Sequence, residues 1–240
     1  MKITPITRKL RKILPLGYCG AVIVAAGNAS RMGGIDKVMQ PIGAEPMIVR
    51  TVRAFASCDA VREIVIVTRQ DLLDKIMNLC AGFEKVTAVV VGGNTRTESV
   101  WAGLDALSSK VRLAAVHDGA RPLVSWQLID RTIRAAHTYG AAAPAIPVKD
   151  TIKVVRGGVV MQTPDRSTLQ AVQTPQVFDY HILRAALKKA LKTGTQITDD
   201  CSAVEQLGMR VKIVEGEERN LKVTTPTDLL LASAFLEEEI

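Results

Sequence analysis

The alternation of short apolar runs with amphipathic stretches is the feature that most constrains the fold of this chain. Apolar runs typical of buried strands lie at 21–26, 62–68, 86–91, 112–117 and 141–148. Between them, hydrophobic residues recur at helical spacing in 46–58, 71–80, 94–107 and 125–139. Strand–helix–strand repeats connect by right-handed crossovers and give a mainly parallel sheet with helices on both faces. We therefore predict an α/β fold, and 4% aromatic residues against 48% hydrophobic ones indicate an aliphatic core.

The alternation stops at residue 149. Two short strand-like runs, 151–156 and 159–163, flank Gly157-Gly158 and predict a projecting β-hairpin. From the residues alone, an arm for a partner subunit and a plain surface excursion are equally compatible with it. Beyond the hairpin we predict that 170–178 returns to the body, that 179–192, 199–207 and 226–236 are helical, and that 211–214 and 220–223 are strands.

Three polar loops follow predicted strands, at the edge where open α/β sheets bind ligands. The first, GNASRMGGIDK, contains Arg31, Gly33, Gly34 and Lys37. Glycines let the backbone approach a phosphate chain, while Arg and Lys supply positive charge. The loop matches neither G-x-G-x-x-G nor the P-loop spacing, so it predicts a nucleotide site of another kind. The other two loops are 92–99 and 118–121.

The net charge of +7 is concentrated at the N-terminus. Five of the 31 basic residues and none of the 24 acidic residues precede Gly17. We interpret 1–18 as a basic tail and 19–240 as one domain whose charge nearly balances. No aromatic stacking platform accompanies the tail, so we expect no nucleic-acid partner.

Cysteine usage and hydropathy together predict a cytoplasmic location. The four cysteines are far apart and form no C-x-x-C pair, which is typical of buried thiols in a reducing compartment. Pro15, Gly17 and Gly20 interrupt the apolar run 13–26, unlike a signal peptide. No run approaches 18 uninterrupted apolar residues, so we expect no membrane span.

Several segments, taken in order, resemble one enzyme family. They are AAGNASRMGG…DK, GGNTRTESVWAGL, VHDGARP, PVKDTIK, DRSTLQAVQTPQVF, TDDCSAVE and NLKVTTPTDL. Together they cover roughly 21–236 and resemble successive motifs of the 2-C-methyl-D-erythritol 4-phosphate cytidylyltransferases of the non-mevalonate isoprenoid route. The resemblance implies a Rossmann-like nucleotidyltransferase fold and a homodimer joined through a β-arm at about 149–170. It also implies transfer of a cytidylyl group from CTP to methylerythritol phosphate, with release of pyrophosphate and with Mg²⁺.

The resemblance also assigns residues. The residues expected to act in catalysis are Arg31, Lys37, Asp118, Arg166 and Lys222. The nucleotide is expected to lie along Ala25, Ala26, Gly27, Gly92, Gly93 and Ser99. The second substrate is expected to contact Asp118, Arg121, Thr151, Arg166, Thr174 and Lys222, where Thr151 and Arg166 reach the site of the neighbouring subunit.

The chemistry of such a reaction agrees with this choice of residues. A phosphate monoester is already a nucleophile at neutral pH, so no Ser, Cys or His base is required. The protein must instead align two anions and stabilise charge at the α-phosphate, as Arg31 and Lys37 would do. Mg²⁺ keeps phosphate and water ligands readily, so we expect it to be held mainly by the CTP phosphates, with no protein metal cage. The resemblance implies that Asp118 lies near it.

Some positions depart from the family pattern, and other functions remain open. Asp36 stands before the loop lysine where proline is common, Val38-Met39 follow it in place of Gln-Tyr or Gln-Phe, and Asn94 stands where an acid is frequent. A ribitol-5-phosphate or other polyol-phosphate cytidylyltransferase would use the same chemistry. A non-catalytic nucleotide-binding regulator on this fold is the alternative of another class.

Overall fold

The computed structural model describes residues 15–27 and 36–237. The basic residues of the N-terminal tail, as well as Arg31, Gly33 and Gly34, lie outside the described residues. The strands are β1 (Cys19–Val24), β2 (Pro41–Ile42), β3 (Glu45–Pro46), β4 (Val61–Thr68), β5 (Val86–Val91), β6 (Leu113–Asp118), β7 (Ala141–Pro147), β8 (Val154–Arg156), β9 (Val159–Gln162), β10 (Gln170–Val172), β11 (Gln176–Asp179) and β12 (Lys212–Glu215). The helices are α1 (Met47–Ala56), α2 (Leu73–Cys80), α3 (Arg96–Ala106), α4 (Trp126–Tyr139), α5 (Tyr180–Thr193), α6 (Asp200–Glu205) and α7 (Pro226–Glu237).

The central sheet is mixed and mostly parallel. Its strand order is β10-β7-β11-β6-β1-β4-β5, and β12 pairs with β7. The first strand is central: β1 pairs in parallel with both β4 and β6. Two strands depart from the parallel pattern: β11 is antiparallel to β6 on one side and to β7 on the other, and β10 is antiparallel to β7.

Helices cover both faces of this sheet, as the sequence predicts. Alternate side chains of a strand point to opposite faces. Ala21 and Ile23 of β1 belong to a buried cluster that includes residues of α1, α2 and α4. Val22, between them, belongs to a second cluster with residues of α3, α5 and α6. The predicted α/β architecture is therefore confirmed.

The predicted hairpin is present as β8 and β9, paired antiparallel. Its turn residues Gly157 and Gly158 have φ values of 56° and 79°, the left-handed region that glycine adopts without strain. The apolar side chains of this hairpin are exposed, among them Val155 and Val160. The hairpin thus projects from the body, while its use as a dimerisation arm stays a prediction.

The prediction of a strand at 220–223 is wrong. These residues form no ladder, because their polar groups have individual partners elsewhere. The amide N–H of Val223 donates to Ala120 at 2.8 Å, and the carbonyl of Asn220 accepts from Arg121 at 2.6 Å. The side chain of Asn220 is buried and donates to the carbonyl of Thr174 at 2.8 Å.

The parallel strands β1, β4, β5 and β6 end at one edge of the sheet, so the segments that follow them lie together. The amide of Ala25 donates to Val67 at 2.7 Å, that of Gly92 to Thr68 at 2.8 Å, and that of Gly119 to Val24 at 2.8 Å. Gly27, Gly92 and Asp118, far apart in the sequence, are thereby brought to one place. Within residues 15–27 and 36–237, no helix is both long and apolar enough to cross a bilayer.

Candidate active site

A cavity of about 280 Å³ opens where β1, β4 and β5 end. Its lining includes Ala26, Gly27, Gly92, Gly93 and Ser99, which are five of the six residues predicted to bind the nucleotide. The sixth, Ala25, lines the adjoining cavity described below. The structure therefore brings together the whole predicted nucleotide set from two separate segments.

Two glycines of this cavity allow close packing of its walls. A Cβ atom added to Gly92 would lie 2.6 Å from the Ala26 Cβ atom and 2.6 Å from the Ser99 hydroxyl oxygen. A Cβ atom on Gly93 would lie 2.3 Å from the Cβ atom of Glu98. Any larger residue would displace one wall, so glycine is required here by packing.

A capping box fixes the first turn of α3 beside these glycines. The hydroxyl of Thr95 accepts from the Glu98 amide at 3.1 Å, and the Glu98 carboxylate accepts from the Thr95 amide at 2.8 Å. This reciprocal pair satisfies two amides that helix geometry leaves without partners. Thr95 and Glu98 also have the sequence spacing that predicts a capping box, which the structure confirms, and this box sets the positions of Arg96 and Ser99 at the cavity.

A second cavity, of about 150 Å³, adjoins the first and shares Val24, Gly27 and Arg96 with it. Five charged side chains line it: Asp36, Lys37, Arg96, Asp118 and Lys222. A cleft lined mainly by uncharged residues, with Arg69 and Arg96 as its charged ones, thus continues into a more highly charged cleft. Such a pair of cavities suits a ligand with a neutral ring at one end and phosphates at the other.

Asp118, at the end of β6, is the centre of the charged cavity. Its carboxylate lies 2.9 Å from the Lys222 ammonium and 3.6 Å from a guanidinium nitrogen of both Arg96 and Arg121. Burial alone would raise the pKa of this carboxyl group, but Lys222 and the two arginines hold it well below its usual range. Asp118 is therefore ionised at every physiological pH and holds three cations close to one another.

The backbone of Asp118 is held by a buried chain of hydrogen bonds. Its amide donates to the Thr174 hydroxyl at 3.2 Å, and that hydroxyl lies 3.0 Å from Nδ1 of His117. The other ring nitrogen of His117 lies 3.3 Å from the carbonyl oxygen of Arg121. Burial lowers the pKa of His117 to about 3, so the ring is neutral, donating from Nε2 and accepting at Nδ1.

The irregular segment 220–223 delivers Lys222 to this carboxylate. The bonds from Arg121 to Asn220 and from Val223 to Ala120 tie both ends of the segment to the loop after β6. Asn220 in turn is bound through its side chain to Gln173 and Thr174. Lys222 lies between these fixed points, which explains why an ordered loop is found where the sequence predicts a strand.

Three charged residues of the site, Arg69, Arg96 and Asp200, have no counterpart in the sequence prediction, and Arg69 lines the first cavity. Arg96 lines both cavities, and its guanidinium donates to the fully buried Asp200 at 2.8 Å. The other carboxylate oxygen of Asp200 is buried without a hydrogen-bond partner among the described atoms. Burial raises the pKa of Asp200, whereas Arg96 opposes that rise. The positions of Arg96 beside the capping box and of Asp200 in TDD were the available signals, but their separation of 104 residues hides the pair.

The remaining predicted residues are placed differently. Arg31 lies outside the described residues. Arg121 and Thr174 contact Asp118 but are not among the described lining residues of either cavity. Thr151 and Arg166 are exposed beside the hairpin, and the Arg166 guanidinium donates to the Lys149 carbonyl at 2.6 Å. Within one chain, therefore, the structure does not bring these last two residues to Asp118.

Among residues 15–27 and 36–237, no group of three or more His, Cys, Asp and Glu side chains is arranged to hold a metal ion. Of the two carboxylates lining the charged cavity, Asp118 is paired with Lys222 at 2.9 Å and Asp36 with Arg69 at 2.6 Å. These donors suit a cation that arrives with phosphate and water ligands of its own.

Residues 19–238 match the family model described as IspD, 2-C-methyl-D-erythritol 4-phosphate cytidylyltransferase. The chain belongs to this cytidylyltransferase family. A 2-C-methyl-D-erythritol 4-phosphate cytidylyltransferase of Symbiobacterium thermophilum is 47% identical over 220 residues, covering 91% of this chain and 92% of that protein. Another, of Caldanaerobacter subterraneus subsp. tengcongensis, is 41% identical over 226 residues, covering 90% of this chain and 97% of that protein.

Solved structures of cytidylyltransferases of this family have the same fold. The 4-diphosphocytidyl-2C-methyl-D-erythritol synthase of Anaerococcus prevotii superposes with a TM-score of 0.84 at 32% identity, covering 92% of this chain and 96% of that one. The 2-C-methyl-D-erythritol 4-phosphate cytidylyltransferase of Thermus thermophilus superposes with a TM-score of 0.72 at 33% identity, covering 90% and 98%. The predicted family and fold class are both confirmed.

Proposed function

We propose that this protein transfers the cytidylyl group of CTP to 2-C-methyl-D-erythritol 4-phosphate, giving 4-diphosphocytidyl-2-C-methyl-D-erythritol and pyrophosphate. Family membership supports the reaction. The observation that carries the proposal in the structure is the pair of adjoining cavities that share Val24, Gly27 and Arg96. The glycine-lined cavity would take the cytidine, and the charged cavity the phosphates.

The residues at hand can perform this reaction without a general base. The phosphate of methylerythritol phosphate is an anion at neutral pH and attacks the α-phosphorus of CTP in line, expelling pyrophosphate. Two anions must approach each other, so cations have to offset their repulsion. Lys37, Arg96 and Lys222 line the charged cavity and would do so, and Arg31 is proposed to assist. His117 is neutral and fully buried, which suits it to holding Asp118 in place.

Mg²⁺ is proposed as the cofactor, held mainly by the phosphates of CTP. Bound there, it would neutralise charge on the triphosphate and help pyrophosphate to leave. Asp118 is the carboxylate proposed to lie near it, through water or directly. The protein's own contribution is to orient the phosphates between Lys37 and Lys222.

A homodimer is proposed to complete the site. Thr151 and Arg166 are predicted substrate residues, yet they are exposed at the base of the hairpin and are not among the described lining residues of either cavity in their own chain. Reaching across to a second subunit would bring them to a substrate. The four cysteines are free thiols, which supports the proposal of a reducing, cytoplasmic location.

The reaction is tested by pyrophosphate release with Mg²⁺, crossing CTP, UTP and ATP with methylerythritol phosphate and ribitol 5-phosphate. We expect turnover with CTP and methylerythritol phosphate alone. Turnover confined to ribitol phosphate would replace the substrate assignment with the sister activity. Binding of CTP without turnover of any pair would favour the regulatory alternative.

The role of Lys37 is tested by Lys37→Ala, with the exposed Lys75→Ala on α2 as its control. Deleting one preorganised electrostatic group costs roughly 10²–10³ in rate. We expect a loss of kcat of that size in Lys37→Ala with unchanged urea unfolding, and wild-type rates in Lys75→Ala. Wild-type kcat in Lys37→Ala would remove this lysine from the mechanism.

A further inference from the structure

Arg69, the residue that follows β4, contacts the two residues that flank 28–35 in the sequence, Gly27 and Asp36. One guanidinium nitrogen lies 3.5 Å from the carbonyl oxygen of Gly27, and another lies 2.6 Å from the carboxylate of Asp36. Gly27 lines both cavities, and Asp36 immediately precedes Lys37 in the charged one. A single side chain therefore links Gly27, which lines both cavities, to Asp36, which precedes Lys37.

The guanidinium is itself held in place from the outer side. The Asp71 carboxylate binds it in a fork, at 3.0 Å from Nε and 2.8 Å from Nη2. A bidentate pair of this kind fixes the plane of the guanidinium and not only its position. Hydrogen bonding to Asp71 and Asp36 raises the pKa of Arg69 further, so it remains a cation at any working pH. Asp71 thus orients Arg69 toward Gly27 and Asp36.

The contact with Asp36 matters because of where that carboxylate lies. It lines the same cavity as Lys37, Asp118 and Lys222, into which the proposed function places a triphosphate. An unpaired carboxylate there would repel the phosphates. The 2.6 Å contact with Arg69 gives this carboxylate a counter-charge, which Arg69 also shares with Asp71.

We propose that Arg69 is a positioning residue for CTP. By binding Asp36 and Gly27 together, it fixes the position of the residue before Lys37 and offsets the negative charge of Asp36 in the phosphate cavity. Arg69 need not touch the reacting atoms to act in this way. This inference rests on the proposed function, because it assigns the residue to the triphosphate half of that site.

The test is a double-mutant cycle at Arg69 and Asp36, with kcat and the two KM values measured with Mg²⁺. Arg69→Gln leaves Asp36 without its cation, so we expect KM for CTP to rise roughly ten- to a hundred-fold while KM for methylerythritol phosphate stays within about twofold. Adding Asp36→Asn removes the repulsion between this carboxylate and the phosphates. It should lower KM for CTP at least about threefold relative to Arg69→Gln alone. A merely structural arginine would produce no such recovery.

Arg134→Gln is the matched control. Arg134 also makes a 2.6 Å bond to a carboxylate, that of Asp130, on the outer part of α4, and it lines neither cavity. We expect it to leave both KM values unchanged. Near-wild-type kinetics in Arg69→Gln, or equal rises in both KM values without recovery by Asp36→Asn, would overturn the inference.

A binding measurement separates this inference from the proposed function. If the wild-type protein fails to turn over CTP and methylerythritol phosphate, the proposed function fails, and calorimetric titration with Mg²⁺·CTP then decides the role of Arg69. A loss of CTP affinity of tenfold or more in Arg69→Gln, with recovery in the double variant, supports it. Equal affinity in wild type and Arg69→Gln, or no CTP binding to either, overturns it.

Discussion

Asp118 is held among three cations, and its charge should matter more for the reaction than for CTP binding. Asp118→Asn removes a negative charge and leaves Lys222, Arg96 and Arg121 to attract the triphosphate. We expect kcat to fall by roughly 10²–10³-fold, because Asp118 no longer holds the three cations in place by its charge. KM for CTP should stay constant or fall. Steady-state kinetics would check this, and a rise in KM as large as the fall in kcat would contradict it.

The control for that substitution is Asp105→Asn. Asp105 lies in the last turn of α3 and is paired at 2.9 Å with Arg184, away from both cavities. Its side chain is 60% exposed, so its loss should change neither kcat nor KM.

His117 should make the protein less stable as the pH falls. Its pKa is about 3 in the folded protein against an ordinary value of 6.5, so below pH 6.5 the unfolded chain takes up a proton that the folded chain does not. From pH 8 to pH 5 this should lower the free energy of unfolding by about 2 kcal/mol. The lowered pKa of Asp118 acts in the same direction, and the raised pKa of Asp200 acts in the opposite one.

Urea unfolding at pH 8 and pH 5 measures the contribution of His117 to the pH dependence of stability, when wild type is compared with His117→Gln. We expect His117→Gln to lose about 2 kcal/mol less than wild type across this range, whatever its absolute stability. The exposed His181→Gln should follow wild type. Parallel pH dependences in all three proteins would show that His117 is not the group responsible.

For single residues, the sequence predicts those that lie within motifs and misses those whose partners are far away in the sequence. Asp118 and Lys222 were predicted from VHDGARP and NLKVTTPTDL, and the structure places them 2.9 Å apart. Arg96 with Asp200, and Arg69 with Asp36, were not foreseen as pairs. Each pair joins segments that only the sheet brings together, and the sequence contains no local signal for a contact between them.

Among the elements, α3 depends on a glycine for its distance from the sheet. A Cβ atom on Gly103 would lie 2.3 Å from Cγ1 of Val22 and 2.8 Å from Cγ2 of Val67. Alanine is the better helix former by about 1 kcal/mol, but overpacking against two strands costs typically 1–3 kcal/mol. We expect Gly103→Ala to lower the free energy of unfolding and to raise KM for CTP, because α3 carries Arg96 and Ser99.

Gly82→Ala is the control, since nothing lies within 4 Å of a Cβ atom there. Its stability should be equal to that of wild type or slightly greater. Guanidinium unfolding of both variants provides the comparison. A Gly103→Ala protein as stable as Gly82→Ala would mean that α3 can move away from β1 and β4 without cost.

Elements with local signals were predicted well. The Thr95–Glu98 capping box and the turn at Gly157-Gly158 depend on neighbouring residues, and both are found. The antiparallel insertion of β11 between β6 and β7 was not predicted, because hydrophobic pattern indicates a strand without indicating its partner. The strand predicted at 220–223 is absent for a related reason. The backbone groups there bond to the loop after β6 and not to a neighbouring strand.

For the whole molecule, the exposed hairpin is the surface whose role can be tested most directly. Its apolar side chains face solvent in the single chain: Ile152, Val154, Val155, Val159, Val160 and Met161. A group of exposed apolar side chains on one projecting element commonly marks an interaction site. The proposed homodimer would cover it and would carry Thr151 and Arg166 to the neighbouring subunit.

Charges placed on one strand of the hairpin should separate the subunits. Val159 and Met161 are two residues apart on β9, so their side chains lie on one face, exposed by 63% and 61%. We expect Val159→Asp/Met161→Asp to convert a dimer to a monomer in sedimentation velocity, because burying two carboxylates without partners is strongly unfavourable. Activity should fall while Mg²⁺·CTP affinity is retained, since both cavities belong to one chain.

The control is Leu230→Asp on α7, a residue that is 72% exposed and remote in sequence from the hairpin. It should sediment as wild type does. A wild-type protein that is monomeric at all concentrations would refute the dimer. A double variant that remains dimeric with full activity would instead place the interface elsewhere. The proposal that Thr151 and Arg166 contact the substrate of the neighbouring subunit would then be wrong.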